Sequence, residues 1–266
     1  MSDENKNINM PFLSIKDLVV EYKSENQIVH AVNGVSLNLE KGKTLGLVGE
    51  TGAGKTTIAK SILRILPDVG SKVASGEIYL EGKQITIRHP QDAIKHHIVM
   101  ASEDRKELGL VLCRNIKENV SLQNFDKLSG ASFIQKPKER KLAKEYTEKM
   151  ATKMNGIDDL VSSLSGGNQQ KVVLAKCLMS EPKVLIMDEP TRGIDVGAKA
   201  AIYNIMIDLA KQGIAIIMIS SEMPELIGMS DRVMVMANGR VKGELEGEET
   251  ASQQAIMNLA FGGNEQ

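Results

Sequence analysis

The chain has 266 residues, and its 33 basic side chains against 34 acidic ones give no electrostatic reason to expect nucleic-acid binding. The longest uninterrupted apolar run, Ile214 to Ile219, is far too short to cross a bilayer, and Cys113 and Cys177 are too isolated for a disulfide framework or a metal site. The length suits one large domain or a core with a subdomain; the polar start from Ser2 to Met10 lacks the basic and apolar stretches of a secretion signal, so a reducing cytosol is the expected setting.

In chain order, Leu13, Ile15 and Leu18 to Val20, and later Val35, Leu37 and Leu39, alternate in a way that predicts a half-buried antiparallel sheet. Tyr22 lies within it and has two readings: a ring stacked on a flat base, or a core or rim tyrosine. Thr44 to Val48 reads as a buried strand. Gly49, Glu50, Thr51, Gly52, Ala53, Gly54, Lys55, Thr56 and Thr57 follow, and apolar residues then recur at helical spacing from Ile58 to Leu66, where Pro67 is expected to stop the helix.

Strand, glycine-rich turn and helix form the context in which G-x-x-x-x-G-K-T wraps a triphosphate. The glycines let backbone N–H groups approach negative charge, Lys55 adds a full positive charge toward the β- and γ-phosphates, and the Thr56 hydroxyl suits Mg²⁺. These residues point to a bound nucleoside triphosphate with Mg²⁺.

Beyond that point, Gly70 to Gly76 reads as a loop, Ile78 to Ile87 as strand with a turn at Gly82, and Ile98 to Ala101 as a further strand. Ser102, Glu103, Asp104 and Arg105 end that strand and read by themselves as a solvated turn. Lys138 to Met154 has helical periodicity with Asn155 and Gly156 as its expected cap. Leu164, Ser165, Gly166 and Gly167 form a second glycine turn, leading into a helical run from Val172 to Met179.

Lys183 to Asp188 is a continuous apolar strand ending in the carboxylates Asp188 and Glu189, one suited to hold Mg²⁺ through water and the other to orient a nucleophilic water. A helix from about Gly197 to Lys211, a strand from Ile214 to Ile219, a hairpin turning at Asn238 and Gly239, and a short polar helix complete the chain.

A phosphate loop, then Leu164–Ser165–Gly166–Gly167, then an apolar strand ending in Asp188 and Glu189 resembles the ATP-binding-cassette ATPases over nearly the whole chain. The resemblance implies an α/β fold with a RecA-like parallel-sheet core, an N-terminal antiparallel β subdomain and a helical subdomain. The expected limits are a core of about 11–103 and 181–245, a helical subdomain of about 104–180 and a C-terminal helix of about 249–261. In that family two cassettes sandwich two nucleotides, so Ser165, Gly166 and Gly167 would meet the γ-phosphate on the partner's loop. Glu189, Glu103, Ser221 and Asp195 would be the catalytic set, with Thr56, Asp188 and Glu103 around the metal.

From about Ile85 onward, Ser102 to Lys106, Asn168 to Lys171, Asp188 to Lys199 and Ser220 to Glu225 look like the second cassette of ribose and galactoside importer ATPases. Through about Gly76 the chain looks more like oligopeptide importer ATPases. Sugar importers of this kind carry two cassettes in one chain, whereas this chain has room for one. The implied partners are transmembrane permease subunits, a second cassette in a homodimer or heterodimer, and indirectly a solute-binding protein, with the chain peripheral at the cytoplasmic face of the membrane.

Glu103 falls where the wider family has glutamine and Ser221 where it has histidine, and both replacements are typical of that second cassette. The leading expectation is therefore an importer ATPase for sugar rather than peptide. A subunit that closes on ATP but hydrolyses it poorly is the second, favoured by Glu103 and Ser221 and opposed by Glu189. A soluble cassette acting on nucleic acid or ribosomes is weaker, because the chain has neither a basic block nor a long coiled-coil insertion.

Overall fold

In the computed structural model the described residues are 10–24, 27–67, 70–130 and 133–261. The chain opens with β1 (Leu13–Ser24) and β2 (Gln27–Leu39), then β3 (Thr44–Gly49), α1 (Lys55–Ile62), β4 (Ser71–Leu80) and β5 (Lys83–Ile85). Next come α2 (Pro90–Lys95), β6 (Ile98–Ala101), α3 (Ile116–Ser121), α4 (Phe125–Leu128) and the short pair β7 (Ser129–Gly130) and β8 (Phe133–Ile134). They are followed by α5 (Lys136–Lys149), α6 (Gly166–Leu178), β9 (Val184–Asp188), α7 (Val196–Lys211) and β10 (Ala215–Ile219). The last elements are α8 (Met223–Met229), β11 (Arg232–Ala237), β12 (Arg240–Glu246) and α9 (Gln253–Phe261).

The antiparallel sheet has the order β2-β1-β4-β5, and the second sheet has the order β12-β11-β3-β10-β9-β6, parallel except for the hairpin strand β12. Central strands of that second sheet read as unbroken apolar runs because both of their faces are covered. Val184, Ile186, Ala215, Ile217 and Ile219 face the cluster shared with α1 and the antiparallel sheet. Leu185, Met187, Ile216 and Met218 face the cluster that holds α6 and α7.

Four predicted boundaries are corrected. Residues 71–76 are not loop but the start of β4, pairing with β1 from Tyr22↔Ser71 to Val19↔Ser75. The stretch is largely exposed and has little apolar alternation, so its strand character comes from the β1 ladder. The helix after the phosphate loop stops at Ile62, five residues before Pro67, because Arg64 turns left-handed (φ 55°) and its amide, with that of Ile65, returns to Ser61 and Lys60.

Likewise α5 stops at Lys149: Ala151 (φ 47°) and Thr152 bond back to Glu148 and Thr147, so Asn155 and Gly156 are not its cap. Finally, α6 starts at Gly166 rather than Val172, because the polar Asn168, Gln169, Gln170 and Lys171 form its first turns and hide the periodicity.

Candidate nucleotide site

The loop between β3 and α1 is shaped by two close backbone approaches. A Cβ on Gly49 would stand 2.1 Å from the Met236 carbonyl oxygen, and one on Gly54 would stand 2.5 Å from that of Ala31. Both residues have positive φ (155° and 97°), so glycine is required on both counts. The loop is thereby clamped between β11 and β2, with Lys55 at the first position of α1. The Lys55 ammonium donates to the carbonyls of Gly49 (2.7 Å) and Glu50 (3.0 Å). Burial lowers its pKa, and the nearby Glu189 and Asp188 charges work the other way.

Asp188 ends β9 and lies opposite Ile219 on β10. Its carboxylate is buried: Oδ1 accepts from the Thr56 hydroxyl at 3.2 Å, whereas Oδ2 has no hydrogen-bond partner. Burial pushes the carboxyl up to about 6, the Thr56 bond opposes the rise, and Glu189 adds to it. Glu189 sits in the left-handed region (φ 48°), an uncommon backbone for a residue preceding proline. Its amide is tied to the Ile219 carbonyl (2.8 Å), and its Oε2 accepts from the Ser221 hydroxyl at 3.1 Å. Lys55, Thr56, Asp188, Glu189 and Ser221 are thus gathered at the C-terminal ends of the neighbouring strands β3, β9 and β10, where open α/β sheets place their ligands.

Glu103 follows β6, and its carboxylate forms a close ion pair with Arg192. The family resemblance implies Glu103 beside the metal, and here its partner is an arginine. Arg105 turns elsewhere and donates to the backbone carbonyls of Arg192 (2.7 Å) and Gly193 (3.1 Å). Two arginines therefore strap the segment after β6 to the segment after β9. Asp104 caps the turn Arg105–Gly109 by accepting from the Lys106 and Glu107 amides, so residues 102–105 are more than a solvated turn.

Other predicted residues stand outside that gathering. Ser165 is the N-cap residue of α6, and its hydroxyl accepts from the Asn168 side-chain Nδ2 at 3.0 Å rather than from a backbone N–H of the helix. Gly166 is packed so closely to Arg105 that a Cβ would meet its guanidinium at 2.7 Å, and a Cβ on Gly167 would meet the Ala198 methyl at 2.5 Å. Asp195 caps α7 by accepting from the Ala198 amide. Tyr22, on β1 opposite Val29 and Ser71, is half-buried against the cluster containing Val20 and Val32, and Val32 lies against Gly54. Arg192 and Glu225 were not singled out by the sequence; Arg192 pairs with Glu103, 89 residues away, and Glu225 accepts from Thr191, 34 residues away.

The family model for ABC transporters matches residues 32–192. The chain is 49% identical over 253 residues to a xylose import ATP-binding protein of Thermoanaerobacter pseudethanolicus, covering 93% of this chain and 49% of that protein. It is 48% identical over 230 residues to a ribose import ATP-binding protein of Halalkalibacterium halodurans, covering 86% and 45%. The chain thus spans about half the length of the curated relatives it matches.

Among solved structures, a nucleotide-free ATP-binding cassette from an ABC transporter matches with a TM-score of 0.77 at 25% identity, over 94% of this chain and 98% of that one. An ATP-binding cassette in its ADP conformation matches at 0.76 and 26%, over 95% and 99%. The fold and the glycine-bounded loop define a P-loop nucleotide-binding cassette. Within that class, the chain belongs to the ABC transporter family. Among the described residues no helix is long and apolar enough to cross a membrane.

Proposed function

We propose that this chain is the ATP-binding and ATP-hydrolysing subunit of an importer, with a sugar as the favoured solute. The observation that carries the reading is the meeting of the Lys55 ammonium, the Thr56–Asp188 pair and the Glu189–Ser221 pair at one end of the parallel sheet. The names of the relatives support the sugar, and the likeness of residues before about 77 to oligopeptide importers keeps peptide as the alternative solute. ATP is the substrate. The partnerless buried Asp188 Oδ2 beside the Thr56 hydroxyl suits Mg²⁺, a hard cation that takes oxygen ligands and neutralises phosphate charge.

In this reading Lys55 and the loop amides bind the phosphates, Asp188 and Thr56 hold the metal, and Glu189 orients the attacking water. Ser165, Gly166 and Gly167, at the start of α6, serve the partner cassette's nucleotide, and Asp195, the cap of α7, belongs with Glu189, Glu103 and Ser221 to the catalytic set. The proposed division is a core of about 11–103 and 181–245, a helical subdomain of about 104–180 and a C-terminal helix of about 249–261. Permease subunits at the cytoplasmic face of the membrane and a second cassette complete the machine, and closure follows from tighter association of the ATP-bound state.

A second reading, slow hydrolysis at this site, is favoured by Glu103 being engaged by Arg192 and by a serine hydroxyl on Glu189 where the family has histidine. The experiment for the leading reading is Glu189→Gln. It keeps the shape, removes the carboxylate, and is expected to lower turnover roughly 10²–10⁴-fold while ATP still binds and drives dimerisation on a sizing column. Turnover equal to that of the wild type would place the water-orienting role elsewhere.

A further inference from the structure

Glu225 is a buried acid to which the mechanism above gives no part. It lies in the first turn of α8 with 3% of its surface exposed. Its Oε1 accepts from the Thr191 hydroxyl, in close contact, and from the Tyr203 hydroxyl at 2.8 Å; its Oε2 accepts from the Ser220 hydroxyl at 2.7 Å. The Lys199 ammonium stands 3.5 Å from Oε1 and also pairs with Glu222. Burial works against the charged form, yet the bonds from Thr191, Ser220 and Tyr203 and the Lys199 charge outweigh it and hold the carboxyl below its ordinary pKa.

The positions of the donors give this network a purpose. Thr191 follows Glu189 by two residues, and it is only 1% exposed. Ser220, fully buried, immediately precedes Ser221, whose hydroxyl donates to Glu189. A ring therefore runs from Glu189 through Pro190 to Thr191, across the Glu225 carboxylate to Ser220, on to Ser221, and back to Glu189. Inside the ring the Glu189 amide is bonded to Ile219. Tyr203 and Lys199 anchor the same carboxylate to α7, the helix that Asp195 caps. Because Glu189 holds a strained left-handed backbone, its carboxylate direction depends on neighbours that over-determine the loop.

We propose that Glu225 is a positioning residue for ATP hydrolysis, its carboxylate bridging the loops after β9 and β10 so that Glu189 and Ser221 are held at their working separation. This rests on the ATPase reading, and it assigns Glu225 no contact with nucleotide. An acceptor-only carboxylate is the group that satisfies three converging hydroxyl donors, which explains why a buried acid stands here instead of an apolar residue.

The test compares the wild type with Glu225→Ala, Glu225→Gln, Thr191→Val and Ser220→Ala, the last two removing one arm each in case the alanine variant at 225 does not fold. On each protein that folds, single-turnover hydrolysis of radiolabelled Mg-ATP and fluorescent-nucleotide affinity are measured together, and crystal structures are solved for the wild type and the most perturbed variant. The expected result is a kcat lowered roughly 10–100-fold in Glu225→Ala, as for a displaced reacting group, with smaller losses in the single-arm variants. Glu225→Gln, which keeps acceptor oxygen and shape, recovers part of the rate, and nucleotide affinity stays within about twofold of wild type throughout.

The loss is also expected to be non-additive with Ser221→Ala, since both changes act on one ring. Additive losses, unchanged kcat in the folded variants, or a Glu189–Ser221 bond kept at its wild-type length in the variant crystal would each overturn the proposal. A wild-type chain that neither binds nor hydrolyses Mg-ATP would overturn the ATPase reading instead, and the pair of crystal structures would still decide whether Glu225 holds the two loops.

Discussion

The site has two sides built by different means. On the phosphate side, one contiguous stretch from Gly49 to Thr57 supplies the turn, the cation and the hydroxyl, and the loop is fixed by backbone packing against Met236 and Ala31. On the water side the groups come from four separate segments and are joined by side chains: Glu103 to Arg192, Arg105 to the Arg192 and Gly193 carbonyls, Ser221 to Glu189, and Glu225 to Thr191, Ser220 and Tyr203. In the proposed reading binding is thus encoded locally, whereas hydrolysis depends on side-chain pairings that reach across as many as 89 residues of chain. The two should fail separately.

The largest separation is expected from Lys55→Ala. It removes the only full charge that the loop itself supplies to the phosphates, worth about 1.5–3 kcal/mol for a charge-assisted hydrogen bond, so affinity should fall roughly 10–150-fold. The water side and the thermal stability should be nearly unchanged. Fluorescent-nucleotide titration checks this, and unchanged affinity would mean that this loop is not the site.

Arg192→Ala should act in the opposite sense and more weakly. It frees the Glu103 carboxylate from its partner while leaving the loop after β3 untouched. For a pair with 65% and 39% side-chain exposure, the effect on hydrolysis should be about fivefold or less and should shrink in high salt, as kinetics at two ionic strengths would reveal. Loss of nucleotide affinity instead would show that the two sides are coupled.

The contrast also explains which features can be read in the sequence. The parallel core was legible because Val184 to Met187 and Ala215 to Ile219 are covered on both faces and so appear as unbroken apolar runs. The phosphate loop was legible because its chemistry is consecutive. The start of β4 was not, since Ser71 to Gly76 is placed by its ladder to β1 rather than by its own side chains. Helix ends at Arg64 and Ala151 escaped notice because left-handed caps usually announce themselves by glycine. The Arg192 and Glu225 contacts were illegible for a further reason: nothing local marks an arginine or a glutamate as paired with a residue dozens of positions away.

The smallest expected effect lies outside both sides of the site. Ala151→Gly should relieve the left-handed backbone that closes α5 and stabilise the chain by about 0.5–1 kcal/mol, with no change in binding or turnover. Thermal denaturation would register it as a small rise in Tm. A change in hydrolysis from this distant cap would mean that the helical segment participates in the water side.

The measurement that bears most directly on the account is the pair of Mg-ATP affinity and kcat for the wild-type chain and for Ser221→His combined with Glu103→Gln. A serine hydroxyl on Glu189 lacks the reach and positive character of an imidazole, and a glutamate at 103 cannot donate a hydrogen bond to the attacking water as glutamine can. If the phosphate side is complete and the water side is the weaker half, the wild type binds Mg-ATP normally but turns it over slowly. The double variant should then raise kcat by at least about tenfold, with affinity unchanged, because one preorganised stabiliser is typically worth on the order of 10²–10³ in rate. A brisk wild-type kcat that the double substitution leaves flat or lowers would contradict this division and show that the Ser221–Glu189 and Glu103–Arg192 pairs are themselves a competent hydrolytic arrangement.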